Sequence, residues 1–236
     1  VSIAGASPIH TTITGSLTVQ GSYLTDPAST IVNLTITGGP VGVDGGAADV
    51  LLDHLLIHHA TGHGATSLAA GRLQAVNCTI VSNGGDGLRA LGAASARNCI
   101  AGKNAGIGLN LPAGSAAAYN DAYGNALDIA AGVSGAGNLA ATAAFVDEAA
   151  FDYRELGTSP TVDAGDAADV FAQESSPDGG RINMGAFGNT RWAASKAAAP
   201  AAGGGGGGGG GCGLTGLEFL GLAWAWRLRR RRKLLS

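Results

Sequence analysis

Five segments of this chain start alike at near-equal intervals: Asn33-Leu-Thr-Ile-Thr37, His54-Leu-Leu-Ile-His58, Asn77-Cys-Thr-Ile-Val81, Asn98-Cys-Ile-Ala-Gly102 and Asn120-Asp-Ala-Tyr-Gly124. Their first residues lie 21, 23, 21 and 22 positions apart. A period near 22 built from short β-rich units and glycine turns confines the chain to a solenoid, in which each unit buries its apolar face only by stacking on its neighbours. Leucine-rich repeats share this length, but they need leucines at fixed offsets and a helical or 3₁₀ return, and the chain supplies neither.

Strand side chains alternate between faces, so Leu34, Leu55, Cys78 and Cys99 form one inward column and Ile36, Ile57 and Ile80 the next. The asparagine column then lies at the outer face or at the turn. The same alignment places Tyr123 in the isoleucine column. Second strands are expected at Val41 to Val43, Thr66 to Leu68, Leu88 to Leu91, Leu109 to Leu111 and Leu127 to Ile129, after glycine turns such as Gly62-His63-Gly64 and Gly84-Gly85-Asp86-Gly87. Third strands are candidates at Ala48 to Leu52, Arg72 to Val76 and Ala94 to Arg97. Three short strands per coil resemble the right-handed parallel β-helix of pectate-lyase-like proteins, over about residues 10–145.

An open end of such a helix exposes unpaired backbone and needs a cap. Phe151-Asp-Tyr-Arg-Glu-Leu-Gly-Thr-Ser-Pro-Thr-Val-Asp-Ala-Gly-Asp166 and Pro177-Asp-Gly-Gly-Arg-Ile-Asn-Met-Gly-Ala-Phe-Gly-Asn-Thr190 resemble the terminal motif of bacterial surface β-helix proteins, including those with a choice-of-anchor domain. The expected organisation is therefore all-β: coils over 1–147, a cap over 148–192, an Ala/Gly-rich linker over 193–211 and a terminal signal over 212–236.

That signal begins after nine glycines, Gly203 to Gly211, which read as a flexible tether. Cys212, an apolar stretch from Leu214 to Trp226 and the basic block Arg227 to Lys233 follow. Thirteen helical residues cover only about 20 Å of a hydrocarbon core of about 30 Å, which suits a transient sorting segment better than a permanent span. The arrangement resembles bacterial C-terminal sorting signals of the myxosortase and rhombosortase type. The resemblance implies a sorting protease as partner, Cys212 as the processing or anchoring position, contact with a membrane through this segment, and a body facing outward at the cell surface, the outer membrane or the extracellular space. The single cysteine and Glu218 inside the apolar stretch depart from the commonest pattern. The chain opens at Val1 without Met or a basic-then-apolar leader, which reads as the C-terminal part of a longer exported solenoid.

Charge excludes one class of partner. Residues 1–211 carry eight Lys or Arg against sixteen Asp or Glu, a net of −8, while residues 212–236 carry six cations and one acid, a net of +5. So acidic a body lacks the clustered cations that nucleic acid requires, but it is compatible with Ca²⁺ or neutral glycans, and the partner expected is an extracellular polysaccharide.

The residues that carry chemistry are few. His54, His58, His59 and His63 invite a metal site, but on a strand followed by a turn His59 points away from His54 and His58, and surface or turn histidines fit better. Gly62-His63-Gly64 resembles the Gly-His-Gly of polygalacturonases, yet their paired aspartates and downstream Arg-Ile-Lys are missing, the nearest phrase being Arg181-Ile182-Asn183. A lyase would bind Ca²⁺ at Asp44, Asp49 or Asp86 and take Arg89 or Lys103 as base, although the repeat alignment scatters these residues over different columns. Cys78 and Cys99 sit one coil apart with parallel Cβ directions, which favours a reduced stack over a disulfide. Asp163, Asp166 and Asp169 read as turn caps rather than a Ca²⁺ loop. These features favour a non-catalytic surface stalk or adhesin-like module that contacts glycans and holds no cofactor. The alternative is a polysaccharide lyase or glycoside hydrolase of the same fold, with Asp44, Asp86, Arg89 and Lys103 as its candidates.

Overall fold

A computed structural model describes residues 1–22, 24–26 and 28–196. The tether, Cys212 and the basic segment lie outside the described residues, as does Tyr23. The described residues belong to one compact unit, Val1–Ala197.

The body is a parallel β-helix whose coils present three faces. Two faces share a ten-stranded sheet, because the long strands Ser29–Thr37 and Asp49–His58 run through both and bend between them, and the third face is a six-stranded sheet. Pairing within each is parallel and in register, so one residue type stacks coil upon coil. On the first face Ile3, Ile31, Leu52, Ala75, Ala96 and Ala117 form an inward column. On the second, the column is Ile13, Ile36, Ile57, Ile80, Ala101 and Ala122. Leu17, Val43, Ala65, Leu88, Leu109 and Ile129 form the third. The core runs along the axis where these columns meet, and Leu34, Leu55, Cys78 and Cys99 are all buried in it. Both cysteines are free thiols; Cys78 Sγ donates to the Val76 carbonyl at 3.2 Å, and burial pushes its pKa up, which keeps the thiol protonated.

The asparagine column has a backbone cause. Asn33, His54, Asn77, Asn98 and Tyr119 all have φ between 48° and 59°, the left-handed conformation that turns the chain from the first face to the second. Asparagine tolerates that region better than most residues, which explains its recurrence. A second left-handed column, Gly38, His59, Ser82, Lys103 and Gly124, makes the next corner. One sequence alignment is corrected here. The last coil is offset by 21 rather than 22 residues, so Tyr119, not Asn120, holds the corner. Asn120 moves inward to the Cys99 level, and Tyr123 pairs with Gly102 and points outward instead of joining the isoleucines. A one-residue slip exchanges the two faces of a strand, and Asn120 makes this register the favourable one by hydrogen bonding inside: its Oδ1 accepts from Cys99 N at 2.9 Å and its Nδ2 donates to Ala96 O at 3.0 Å.

A ladder of buried amides marks the second corner. Asn83, Asn104 and Asn125 stack at intervals of 21 residues; Asn104 Oδ1 accepts from Asn83 N and Nδ2 at 3.1 and 2.9 Å, and Asn125 Oδ1 accepts from Asn104 N and Nδ2 at 2.9 and 3.0 Å. These bonds satisfy backbone donors that the turn removes from the sheet.

The outward columns of the second face change character along the axis. One reads Thr12, Thr35, Leu56, Thr79, Ile100, Asp121 and the other Thr14, Thr37, His58, Val81, Gly102, Tyr123. Where they turn apolar, the C-terminal segment covers them. It starts with the antiparallel pair Phe145–Asp147 and Asp152–Glu155 joined by the 3₁₀ turn Glu148–Ala150, and Phe145, Tyr153, Met184 and Phe187 pack on Val81, Ile100 and Tyr123. Strands covered on both sides are buried throughout, as at Ile100–Gly102 and Asp121–Tyr123. Polar pins fix the cap: Ala186 N donates to Thr79 Oγ1 at 3.0 Å, Gly185 N to Asn98 O at 2.7 Å, and Asn98 Nδ2 to Asp169 Oδ2 at 2.7 Å. Among the described residues no helix is long and apolar enough to cross a membrane.

Candidate functional site

The four residues nominated from sequence separate into two places. Asp44 and Arg89 lie in one outward column of the third face, with Thr66 between them and Asn110 beyond, so the scatter expected from the repeat alignment does not hold for this pair. Asp86 stands at the turn into the same face, 3.8 Å from Arg89 Nε and 3.6 Å from His63 Nδ1. Its Oδ1 accepts from Ile107 N at 2.7 Å and its Oδ2 from Asn110 Nδ2 at 2.8 Å, so the carboxylate stitches one coil to the next. Asp44 Oδ1 accepts from Gly46 N at 3.0 Å, an Asx turn. Lys103 is elsewhere, at the second corner, and its Nζ donates to both oxygens of Glu148 in the cap at 2.8 and 2.7 Å.

The histidines have four separate settings. His54 makes the first corner, with Nδ1 donating to Asp53 Oδ1 at 2.6 Å and Nε2 lying 2.8 Å from the Gly188 carbonyl of the cap. His59 makes the second corner. His63 Nδ1 accepts from Asp86 N at 2.9 Å. His58 faces the cap, where burial, assisted by the neighbouring His59, lowers its pKa to about 4 and keeps the ring neutral at physiological pH. Among the described residues no group of three or more His, Cys, Asp or Glu has the geometry to hold a metal ion.

A concave feature lies where the cap leaves the second face. An open cleft of about 390 Å³ runs over the outward side of Thr12, Thr35, Thr37 and His58, and its far wall is Phe151, Tyr153 and Trp192. A more polar groove of about 370 Å³ continues past Pro8 and Trp192 to Asn33, Asp53, His54 and Arg191. The aromatic wall is continuous: Phe151 lies 4.8 Å from His59 and 5.1 Å from His58 between ring centres, and His58 lies 5.3 Å from Tyr153. The Arg191 guanidinium sits 4.1 Å over the Trp192 ring, and His10 lies 5.5 Å from the same ring. Sequence reasoning missed this site. Aromatic residues make up only 5% of the chain, and those of the cleft, Phe151, Tyr153, Phe187 and Trp192, come from the C-terminal segment and meet a coil face far away in sequence.

A set of acids lies under the cap. Glu155 is fully buried, accepts from Thr161 Oγ1, and is pushed up to about 8 by burial, reinforced by the negative Glu174, Asp121 and Asp163. Burial also raises Asp121 to about 6; its Oδ1 accepts from Ala141 N at 3.0 Å, and its Oδ2 is buried without a hydrogen-bond partner. Glu174 Oε1 instead accepts from Asn183 N and Asn189 N at 2.9 and 2.7 Å, which fastens the two ends of the cap loop together.

Coil pairing and the covering C-terminal segment together define a capped parallel β-helix protein. No known family profile matches the chain, and no curated protein does. Among solved structures it is similar to one described as the crystal structure of pectate lyase Pel9A, at 14% identity and a TM-score of 0.48, covering 79% of this chain. The match spans 63% of the length of that chain.

Proposed function

We propose that this chain is a non-catalytic, glycan-contacting module of an exported protein held at the cell surface. The observation that supports it best is the use made of Asp86. Its carboxylate has a cation and a histidine within 4 Å, yet both oxygens are engaged by the Ile107 amide and the Asn110 side chain of the next coil. A Ca²⁺ ligand or a general acid needs a carboxylate free to meet its target. Lys103 is likewise held between two oxygens of Glu148. The surface location rests on Gly203–Gly211, Cys212 and the basic block, read as a signal for a C-terminal sorting protease that acts at the membrane.

The alternative, a polysaccharide lyase or hydrolase, is favoured by the stacking of Asp44 and Arg89 in one outward column beside Asp86. One experiment separates the two readings. The full chain, with Ca²⁺, is offered neutral and acidic polysaccharides while bound glycan, new reducing ends and unsaturated uronate products are recorded. Binding without cleavage is the expected result; catalytic turnover of any glycan, lost on Arg89→Gln, would replace this reading with the enzyme.

A further inference from the structure

Phe151 combines two local disadvantages. It is 52% exposed, and it holds φ 61°, a left-handed conformation in which a bulky side chain is an outlier and glycine or asparagine would serve better. It occupies the residue after the 3₁₀ turn Glu148–Ala150, where its N–H donates to Glu148 O and where the side chain makes no demand on the turn. Backbone strain of this kind clusters at functional sites, and the part of the Phe151 ring not packed on His58 and His59 is open to solvent.

The surroundings state what that contact is. Phe151 packs with His58 and His59 in a cleft that Trp192 also lines, and whose volume is in the range of small-ligand sites, about 300–1,000 Å³. On the threonine side Thr12 stands exposed at the rim, whereas Thr35 is buried with its hydroxyl donated to Pro8 O and the Thr37 hydroxyl is shared with His58 Nδ1 at 3.2 Å. The charged residues of its lining, Asp152 and Arg154, neutralise each other in a paired contact, Nε to Oδ1 at 2.8 Å and Nη2 to Oδ2. His58 is neutral as well. An exposed aromatic face with a hydroxyl at its rim and a charge-paired lining complements the ring face and hydroxyl edge of an uncharged sugar; the Arg191 guanidinium over Trp192 is the cation a uronate chain would use, and the choice of sugars in the test separates the two.

We infer that the cleft between the second face and the cap binds an uncharged saccharide chain, with Phe151 and Trp192 as its stacking platforms. This rests on the glycan-contacting reading and adds the site and the ligand class. The test is calorimetric titration of the full chain with xylo-, cello- and manno-oligosaccharides and with oligogalacturonate. The variants are Phe151→Gly, Trp192→Ala and, on the third face, Arg89→Gln. Phe151→Gly is expected to weaken neutral-sugar binding by at least about tenfold. Glycine relieves the left-handed backbone but loses the ring packing on His58 and His59, so the two effects oppose each other and the melting temperature should shift by only a few degrees; an unchanged circular dichroism spectrum separates lost contact from lost fold. Trp192→Ala should also weaken binding, and Arg89→Gln should leave it unchanged. Wild-type affinity in both cleft variants, with binding lost in Arg89→Gln, would overturn the cleft and leave the glycan reading intact. Preference for oligogalacturonate would overturn the ligand class. No binding of any sugar by the wild type would remove both readings together.

Discussion

The amide ladder gives the sharpest test of the fold, and Asn104→Ala is its central perturbation. Asn104 is 2% exposed and sits between Asn83 and Asn125. Truncation takes the acceptor from the Asn83 backbone N–H at 3.1 Å and from Asn83 Nδ2 at 2.9 Å, and the donor from Ile80 O at 3.0 Å. Asn83 Nδ2 keeps a long bond to Ile57 O at 3.4 Å, so the group left most exposed to loss is the buried Asn83 N–H, followed by the Ile80 carbonyl. Each buried polar group deprived of its partner costs about 1–3 kcal/mol, and two of them give about 4 kcal/mol. In a described unit of this size that is about 8–16 °C in melting temperature. The assay is urea unfolding followed by circular dichroism, with Asn110→Ala as reference. Asn110 is only half-buried and donates to Asp86 from the outside of the third face, so its removal should cost less than about 1 kcal/mol. Equal losses in the two variants would refute the ladder as a structural element.

Three further outcomes follow from the same geometry. Glu155 has its folded pKa raised from 4.5 to about 8, so the unfolded chain releases a proton that the folded chain keeps; stability falls as pH rises from about 4.5 to 8, and by pH 7 the cost is about 3 kcal/mol at about 1.4 kcal/mol per unit. Glu155→Gln should remove that slope and raise the melting temperature at pH 7 but not at pH 4, and parallel pH profiles for variant and wild type would contradict the assignment. A methyl group at Gly64 would meet Ile80 Cγ2 at 2.5 Å and Gly87 O at 2.6 Å, so Gly64→Ala should destabilise by about 1–3 kcal/mol in the same urea assay, and an unshifted midpoint would mean that the coils are not stacked this closely. Cys212→Ala should divert the protein from the cell surface, and unchanged cell fractionation would sink the sorting reading.

What was readable in the sequence was whatever the coil repeats. The isoleucine column, the Leu–Cys column and the corner asparagines recur at the same phase, so alternation alone placed Ile57 and Ile80 in the core and left Asn77 at the outer face or a turn, of which the corner is the one found. Asn83, Asn104 and Asn125 carry the same period, yet each lies beside glycines or a turn and reads as loop polarity; the regular interval of 21 was the signal that could have revealed them. The C-terminal segment stood out as a motif expected to close the open end, but its contacts, which lie along the outward second face, were not legible. His54 meets Gly188, Ala186 meets Thr79 and Asp166 meets Asn98, pairs 134, 107 and 68 residues apart, and no periodicity links them.

This division also explains why the candidate site lies at the cap. Along a stacked face each side chain must be compatible with copies of its neighbours about 4.8 Å above and below, so charged groups such as Asp86 and Arg89 are drawn into coil-to-coil bonding. The outward second face escapes that constraint only where the stacking partner changes. From Thr79 onward its side chains are covered by the cap, while Thr12 and Thr14 remain exposed; the cleft occupies the step between the two. There the solenoid supplies the exposed Thr12 and the cap supplies aromatic rings that no repeat generates. Phe151, half exposed and held at φ 61°, stands at that break in the repetition.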